Sequence, residues 1–335
     1  MKVAINGLGR MGKLALRNMI DQGFDAEIVL VNDIGGDIAQ HALLLEFDTV
    51  HGRWLADISH DDDHITVDGQ KMRFTQERNI ADLPLVELGV DLVIDCTGVF
   101  KSNAKLAPYF DAGIKKVVVS APVKEDDVAN IVYGVNNDVY NADKHKVITA
   151  ASCTTNCIAP VVKVIREHLG IAQASFTTIH DVTNTQTIVD RAHKDPRRAR
   201  SALNSLIPTT TGSAKAIIQI FPDMAGKIDG HAVRVPLLNA SLTDIVFDVE
   251  KDTTAEEVNA LFEAASKGEL EGILGYEPRP LVSCDYTNDD RSTIVDAMST
   301  RVINGKHVKV YAWYDNEWGY ACRLADVARM VAASL

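Results

Sequence analysis

Lys2-Val3-Ala4-Ile5-Asn6-Gly7-Leu8-Gly9-Arg10-Met11-Gly12 runs from a short apolar stretch into Lys13-Leu14-Ala15-Leu16-Arg17-Asn18-Met19-Ile20, a segment of helical pattern. The three glycines form G-x-G-x-x-G between strand and helix. The first permits a tight turn, the second lets backbone approach a pyrophosphate, and the third lets helix pack on strand. Tight turns alone give many such patterns, so the context decides. A second apolar run, Glu27-Ile28-Val29-Leu30-Val31-Asn32, follows the helix, and Asp33 stands at its end. An acid about 20 residues past the last glycine is placed for the ribose hydroxyls of a dinucleotide, and it repels a 2′-phosphate. The stretch therefore predicts a Rossmann-type doubly wound sheet and NAD in preference to NADP.

Further runs extend the sheet. Ile65 to Phe74 reads as a hairpin turning at Asp68-Gly69. Asp91 to Cys96 and Lys116 to Val119 are buried strands that end in small residues, as strands do where a sheet meets its ligand. Lys101 to Gly113 can form the connecting helix, and Lys146 to Thr149 closes the sheet. Beyond it the pattern changes. Strands expected at Gln173–His180, His231–Pro236, Ala240–Glu250, Ser292–Asp296 and His307–Trp313, with helices at Thr254–Ser266 and Asn316–Leu335, describe an α+β domain whose sheet is mixed and largely antiparallel.

Composition bounds the function. A length of 335 residues suits about two domains. With 34 basic against 46 acidic residues, the net charge of −12 offers no general attraction to nucleic acid or to an anionic membrane. No apolar run has the length of a bilayer span, and the N-terminus lacks the layout of a signal peptide. The five cysteines are odd in number and have no zinc spacing, which points to no metal and a reducing, cytoplasmic home.

Between the two domains lies Thr149-Ala150-Ala151-Ser152-Cys153-Thr154-Thr155-Asn156-Cys157. Cys153 sits where a strand gives way to a helix, with Ser152 as N-cap, and a helix N-terminus favours a thiolate. On its own the stretch suits a buried core cysteine equally well. A nicotinamide domain leading into such a cysteine suggests chemistry on a carbonyl, which needs a base and fixed donors for oxyanions. His180 is the best base, ending a strand and heading a polar loop. The cluster Arg197-Arg198-Arg200 and the run Thr209-Thr210-Thr211-Gly212 before a helix are two candidate anion sites.

These residues, with Asp48-Thr49-Val50-His51-Gly52, Arg234-Val235-Pro236 and Trp313-Tyr314-Asp315-Asn316-Glu317, resemble phosphorylating glyceraldehyde-3-phosphate dehydrogenase along the whole chain. The resemblance implies an NAD-binding domain over 1–151, a catalytic domain over 152–315 and a C-terminal helix, 316–335, returning to the first domain. It implies Cys153 as nucleophile and His180 as its base. Gly7, Gly9, Arg10, Met11, Gly12, Asp33, Arg78, Ser120 and Asn316 would contact NAD, with Asn316 on the nicotinamide carboxamide. Thr183 and Arg234 would take the C3 phosphate of glyceraldehyde 3-phosphate. Ser152, Thr154, Arg198, Thr211 and Gly212 would take substrate and inorganic phosphate. A homotetramer is implied, with a loop from about Val182 to Arg200 reaching a neighbour. Val182, Arg191-Ala192 and Asn79-Ile80 depart from the usual pattern. The runs Thr178–Thr187 and Pro236–Asp244 are similar to a branch encoded beside arsenic-resistance transporters and taken to use arsenate as acceptor. The rivals are an erythrose-4-phosphate dehydrogenase, a non-catalytic NAD-binding regulator or RNA-binding protein, and a cofactor-free cysteine hydrolase. Arg198 with Thr209 to Gly212 speaks against the first, the charge and the Cys153/His180 pair against the second, and the glycine turn with Asp33 against the third.

Overall fold

Lys2–Asn6 forms a strand in which every side chain after Lys2 is buried, and each apolar one removed from water contributes roughly 1.5–3 kcal/mol. The computed structural model describes all 335 residues. They divide into two units, Met1–Ser152 with Ala321–Leu335, and Cys153–Tyr320.

In the first unit, Lys2–Asn6 lies between Glu27–Asn32 and Leu92–Asp95, parallel to both. The chain thus builds outward on one side of its first strand and then returns to the other, which makes the carboxyl end of that strand a switch point. Lys116–Val119 and Val147–Thr149 follow beyond Leu92–Asp95. The sheet does not end at residue 149, however. Ala129–Asn130 pairs outside Val147–Thr149, a two-residue strand too short to leave a periodic pattern. On the opposite side come Gln70–Thr75, His64–Val67 and Ile58–His60. The hairpin between Val67 and Gln70 turns through Asp68 at φ +47° and Gly69 at φ +82°, the left-handed pair that a two-residue turn demands.

Leu92–Asp95 and Lys116–Val119 are buried at every position, as parallel strands covered on both faces must be. Polar groups among them have to find partners. Asn32 Nδ2 donates to Asn6 Oδ1 at 2.7 Å, Asn6 Nδ2 to Tyr109 Oη at 2.6 Å, and Tyr109 Oη to Asp95 Oδ2 at 2.7 Å. Burial pushes the Asp95 carboxyl up in spite of the bonds from Thr97 and Tyr109. Removing the Tyr109 hydroxyl leaves a buried amide and a buried carboxyl short of a partner, each costing about 1–3 kcal/mol. Tyr109→Phe is expected to lower stability by about 2–4 kcal/mol in urea titration; an unchanged midpoint would show that the chain of bonds carries no stability.

The second unit holds Ile207–Thr210, Ile228–Arg234, Ile171–His180, Ser241–Val249, His307–Tyr314, Thr293–Asp296 and Leu274–Glu277 in that sheet order, with Arg301–Ile303 pairing on His307–Tyr314. Two pairs are parallel and the rest antiparallel. Ser241–Val249 alternates buried and half-buried side chains, the pattern of a sheet with one face on the core. Cys153–Leu169 packs on the buried face beside Ser213–Ile220 and Ala255–Ser266. Thr254 caps the last of these with a full capping box to Glu257. The final helix is Trp318–Ala332. It begins where the Asp315 carboxylate accepts the N–H groups of Glu317 and Trp318, two residues later than the sequence suggests. Within the first unit its far part is held by Asn18, whose Oδ1 accepts from Arg329 at 3.1 Å. No helix is long and apolar enough to cross a membrane.

Candidate active site

Cys153 is the first residue of helix Cys153–Leu169, and His180 is the last of strand Ile171–His180. The fold brings Cys153 Sγ to 3.6 Å from His180 Nε2. Burial pushes the thiol up, but the bond to His180 and the charges of His180 and Arg234 outweigh it, so the thiol lies below its ordinary value. The dipole of the helix, whose N-terminus lies at Cys153, acts the same way. Burial works against the imidazolium, yet Asp181 and the Cys153 sulfur lift His180 to about 9. Each member of the pair thus favours the charged form of the other. Cys157, one turn further on, has the opposite surroundings. It is fully buried against Thr243, Thr293 and the carbonyl of Ala312, and burial pushes its thiol up to about 12. That thiol packs and stays protonated.

The other ring nitrogen of His180 is crowded. Asp181 Oδ1 is 2.8 Å from Nδ1, the Asp181 carbonyl is 2.9 Å away, and Arg234 Nη1 is 2.7 Å away. Arg234 arrives by register, because His180 and Arg234 are directly paired at the ends of parallel strands. Its Nη1 also donates to the Asp181 carbonyl at 2.8 Å, while its buried Nε has no partner. Ser241 Oγ bonds Asp181 Oδ1 at 3.0 Å and Asn316 Oδ1 at 3.1 Å, and its single proton serves one of them at a time. Thr154 reaches the same place through Tyr314, whose hydroxyl lies 3.1 Å from Thr154 Oγ1 and 2.8 Å from Thr178 Oγ1.

The remaining candidates of this unit sit in the segments that follow. Arg198 Nε donates to Thr209 Oγ1 at 2.9 Å, and its charge acts on Arg234. Thr211 Oγ1 lies 3.1 Å from Ser213 Oγ, and Gly212 is the N-cap residue of Ser213–Ile220. Thr183 turns its hydroxyl to Thr185 and Gln186 in an exposed loop. The structure therefore places Cys153, His180, Arg234, Thr154 and Asn316 in one connected cluster, with Arg198 near enough for its charge to be felt. Asp181 and Ser241 are contacts that sequence reasoning missed, while Thr209 belongs to the run already read as an anion site. Asp181 was hidden because neighbours on a strand face opposite ways, and only the break after His180 turns its carboxylate back to the ring.

In the first unit the glycine turn is tightly built. Gly7 has φ +100°, and a Cβ on Gly12 would lie 1.9 Å from the Gly7 carbonyl oxygen. A Cβ on Gly9 would meet nothing within 4 Å, so this glycine faces open space. Asp33 Oδ2 accepts the Leu8 N–H at 2.8 Å and Oδ1 accepts from Gly35 at 2.9 Å, which ties the acid to the turn and leaves each oxygen a lone pair. Arg10 pairs with Asp48. Against burial, that bond and the N–H groups of His51 and Val50 hold the Asp48 carboxyl down to about 2. The Ser120 N–H donates to the Asp95 carbonyl at 2.8 Å. Met11 and Ser152 are half-buried and Arg78 is exposed. A close-packed turn with one open glycine and an acid at the next strand end fits a dinucleotide.

Comparison with known proteins identifies the family. The family model for the NAD binding domain of glyceraldehyde 3-phosphate dehydrogenase matches residues 1–103, and that for its C-terminal domain matches residues 152–316. Glyceraldehyde-3-phosphate dehydrogenase 3 of Nostoc sp. is 56% identical over 100% of this chain and 99% of its own length. The glyceraldehyde-3-phosphate dehydrogenase of Streptomyces coelicolor is 49% identical, again over 100% and 99%. That of Geobacillus stearothermophilus is 47% identical over 99% and 98%. Similarity on this scale runs through both units and both chain ends, and the chain belongs to the NAD-dependent glyceraldehyde-3-phosphate dehydrogenase family.

Proposed function

We propose that the enzyme oxidises glyceraldehyde 3-phosphate through a hemithioacetal and then a thioester on Cys153, and that inorganic phosphate or arsenate cleaves the thioester. The observation that supports this most is the Cys153 Sγ to His180 Nε2 approach of 3.6 Å at a helix N-terminus. The thiolate attacks the aldehyde carbon, and the new alkoxide takes the Nε2 proton of the His180 imidazolium. NAD, when bound, supplies the acceptor for the hydride. As the hydride leaves the hemithioacetal carbon, Nε2 takes back the hydroxyl proton and a thioester remains on Cys153. The oxyanion then adds to that carbon and the thiolate departs, giving the acyl phosphate or acyl arsenate.

On this reading Gly7, Gly9, Arg10, Met11, Gly12, Asp33, Arg78 and Ser120 of the first unit hold NAD, and Asn316 of the second holds the carboxamide. Arg234 and Thr183 take the C3 phosphate. Ser152, Thr154, Arg198, Thr211 and Gly212 take substrate and the attacking oxyanion. Arsenate matches phosphate in charge and shape, so the same donors accept it; the runs Thr178–Thr187 and Pro236–Asp244 are what favour it. Five free cysteines suit a reducing cytoplasm. Ile188, Val189, Leu203 and Leu206 are 67–71% exposed, an apolar surface that a homotetramer would cover.

The test is initial NADH formation from glyceraldehyde 3-phosphate with phosphate, with arsenate and with neither, followed by mass identification of the released acyl group. Continuous turnover is expected with either oxyanion. Without one, NADH should stop after about one equivalent per subunit, the burst of an accumulating acyl-enzyme. Full turnover in the absence of both would mean that water cleaves the thioester, as in the erythrose-4-phosphate rival.

A further inference from the structure

His180 Nδ1 faces Arg234 on one side and the carboxylate and carbonyl oxygens of Asp181 on the other, which pull it in opposite directions. Arg234 Nη1, at 2.7 Å, can only donate, and it therefore favours a neutral ring with a bare Nδ1. The Asp181 carboxylate, at 2.8 Å, can only accept while ionised, and it favours Nδ1–H. The other titratable groups around the ring are Cys153, from the helix above it, and Tyr314, whose ring meets the imidazole edge to face at 6.0 Å. Asp181 is 1% exposed, so its charge is little screened by water. Its position is fixed twice by one residue: Ser241 Oγ bonds Oδ1 at 3.0 Å and accepts the Asp181 N–H at 3.2 Å. Oδ2 has no hydrogen-bond partner at all. A buried carboxylate left half satisfied is costly unless a cation stands beside it.

We propose that Asp181 is a positioning residue for the Cys153–His180 pair: its carboxylate binds the Nδ1–H of His180, keeps Nε2 turned to the sulfur, and sustains the imidazolium beside the thiolate against the charge of Arg234. The inference rests on the reading of Cys153 as nucleophile and His180 as its base. Asp181 touches neither substrate nor cofactor in that scheme; its own charge pushes the Cys153 thiol up, and the larger effect of the imidazolium it supports outweighs that push. The lifted titration of His180 agrees, since Asp181 is the largest of the influences that raise it. Ser241 then links two parts of the site. Its proton can go to Asp181 or to Asn316, so a change in the hydrogen bonding of Asn316 alters how firmly the carboxylate is held.

The test is the pH profile of Cys153 alkylation by iodoacetamide in the full-length protein, read by mass spectrometry between about pH 4 and pH 10. A thiol pK shift of one unit is a tenfold change in thiolate at pH values below both. Asp181→Asn keeps shape and an accepting oxygen while removing the charge. It is expected to raise the alkylation midpoint by at least about one unit. Ser241→Ala, which keeps the carboxylate but frees it, should move the midpoint the same way by less, and it decides the matter alone should the Asn protein fail to fold. A purely structural Asp181 would lower thermal stability or the overall rate and leave the midpoint in place. A low midpoint in the parent protein that neither variant moves overturns this inference only. A parent midpoint near that of a free thiol, about 8.5, overturns the nucleophile reading and this inference with it.

Discussion

A Cys153→Ala protein is expected to lose NADH formation from glyceraldehyde 3-phosphate by at least about 10⁴-fold, while binding NAD as before. The size follows from what the sulfur does. In the proposed scheme the hydride leaves from a carbon that the sulfur has made tetrahedral, so removing the nucleophile removes the intermediate. Groups acting as one unit then contribute little alone. Cys157 is no substitute, although it lies one helical turn away. Its thiol is pushed up to about 12, so at neutral pH its thiolate fraction is roughly 10⁻⁵, and its bonds run to Thr243, Thr293 and Ala312. Alanine at 153 removes a half-buried side chain at a helix start, which costs little stability. The two readouts therefore separate: activity collapses while the melting temperature and NAD affinity persist. Undiminished turnover by the alanine protein would sink the scheme.

What the sequence reveals here depends on the distance over which a feature is written. The glycine turn, Asp33 and the Asp68-Gly69 hairpin are local, and each required conformation leaves its residue type in place. Cys153 and His180 are legible one at a time, as the residues standing where a helix begins and a strand ends. Their approach is not, because it depends on how helix Cys153–Leu169 lies on the sheet. Arg234 enters by a parallel register with His180 across 54 residues of chain, which no periodicity encodes. The short strands Ala129–Asn130 and Arg301–Ile303 were beyond reach for a different reason: fewer than four residues carry no alternation. Leu274–Glu277 hides differently, with its alternation broken by a glycine. Tyr109 escaped because a buried polar group is defined by partners from elsewhere in the chain, here Asn6 and Asp95, and Asp181 because only the break in the strand after His180 turns it back to its neighbour's ring.

Gly12→Ala should be the most damaging single methyl group in the first unit. Its Cβ would stand 1.9 Å from the Gly7 carbonyl oxygen and 3.0 Å from the Gly7 carbonyl carbon, and these are backbone atoms, which cannot rotate aside. Gly7 cannot yield either. It is pressed against the Cys96–Thr97 peptide, where its own Cβ would come within 2.7 Å of backbone, and its N–H is held by the Asn32 carbonyl at 2.7 Å. Relief requires helix Arg10–Asp21 to lift from its strand, pulling Leu8 away from Asp33. Overpacking of this kind costs about 1–3 kcal/mol and more where backbone must move, so a loss near 3 kcal/mol is expected in urea titration. NAD affinity should fall by about 100-fold or more, since the turn and the first helical N–H groups shift together. Gly9→Ala supplies the contrast. Its backbone, at φ −69° and ψ −162°, suits any residue, and its Cβ would meet nothing. The folded protein should not notice it, yet the methyl group would project into the space through which a pyrophosphate must approach. Stability unchanged with weakened NAD binding is expected at Gly9, and both lost together at Gly12. A Gly12→Ala protein with parental stability and NAD affinity would refute the tight-turn argument. A Gly9→Ala protein with parental affinity would mean that the pyrophosphate does not pass there.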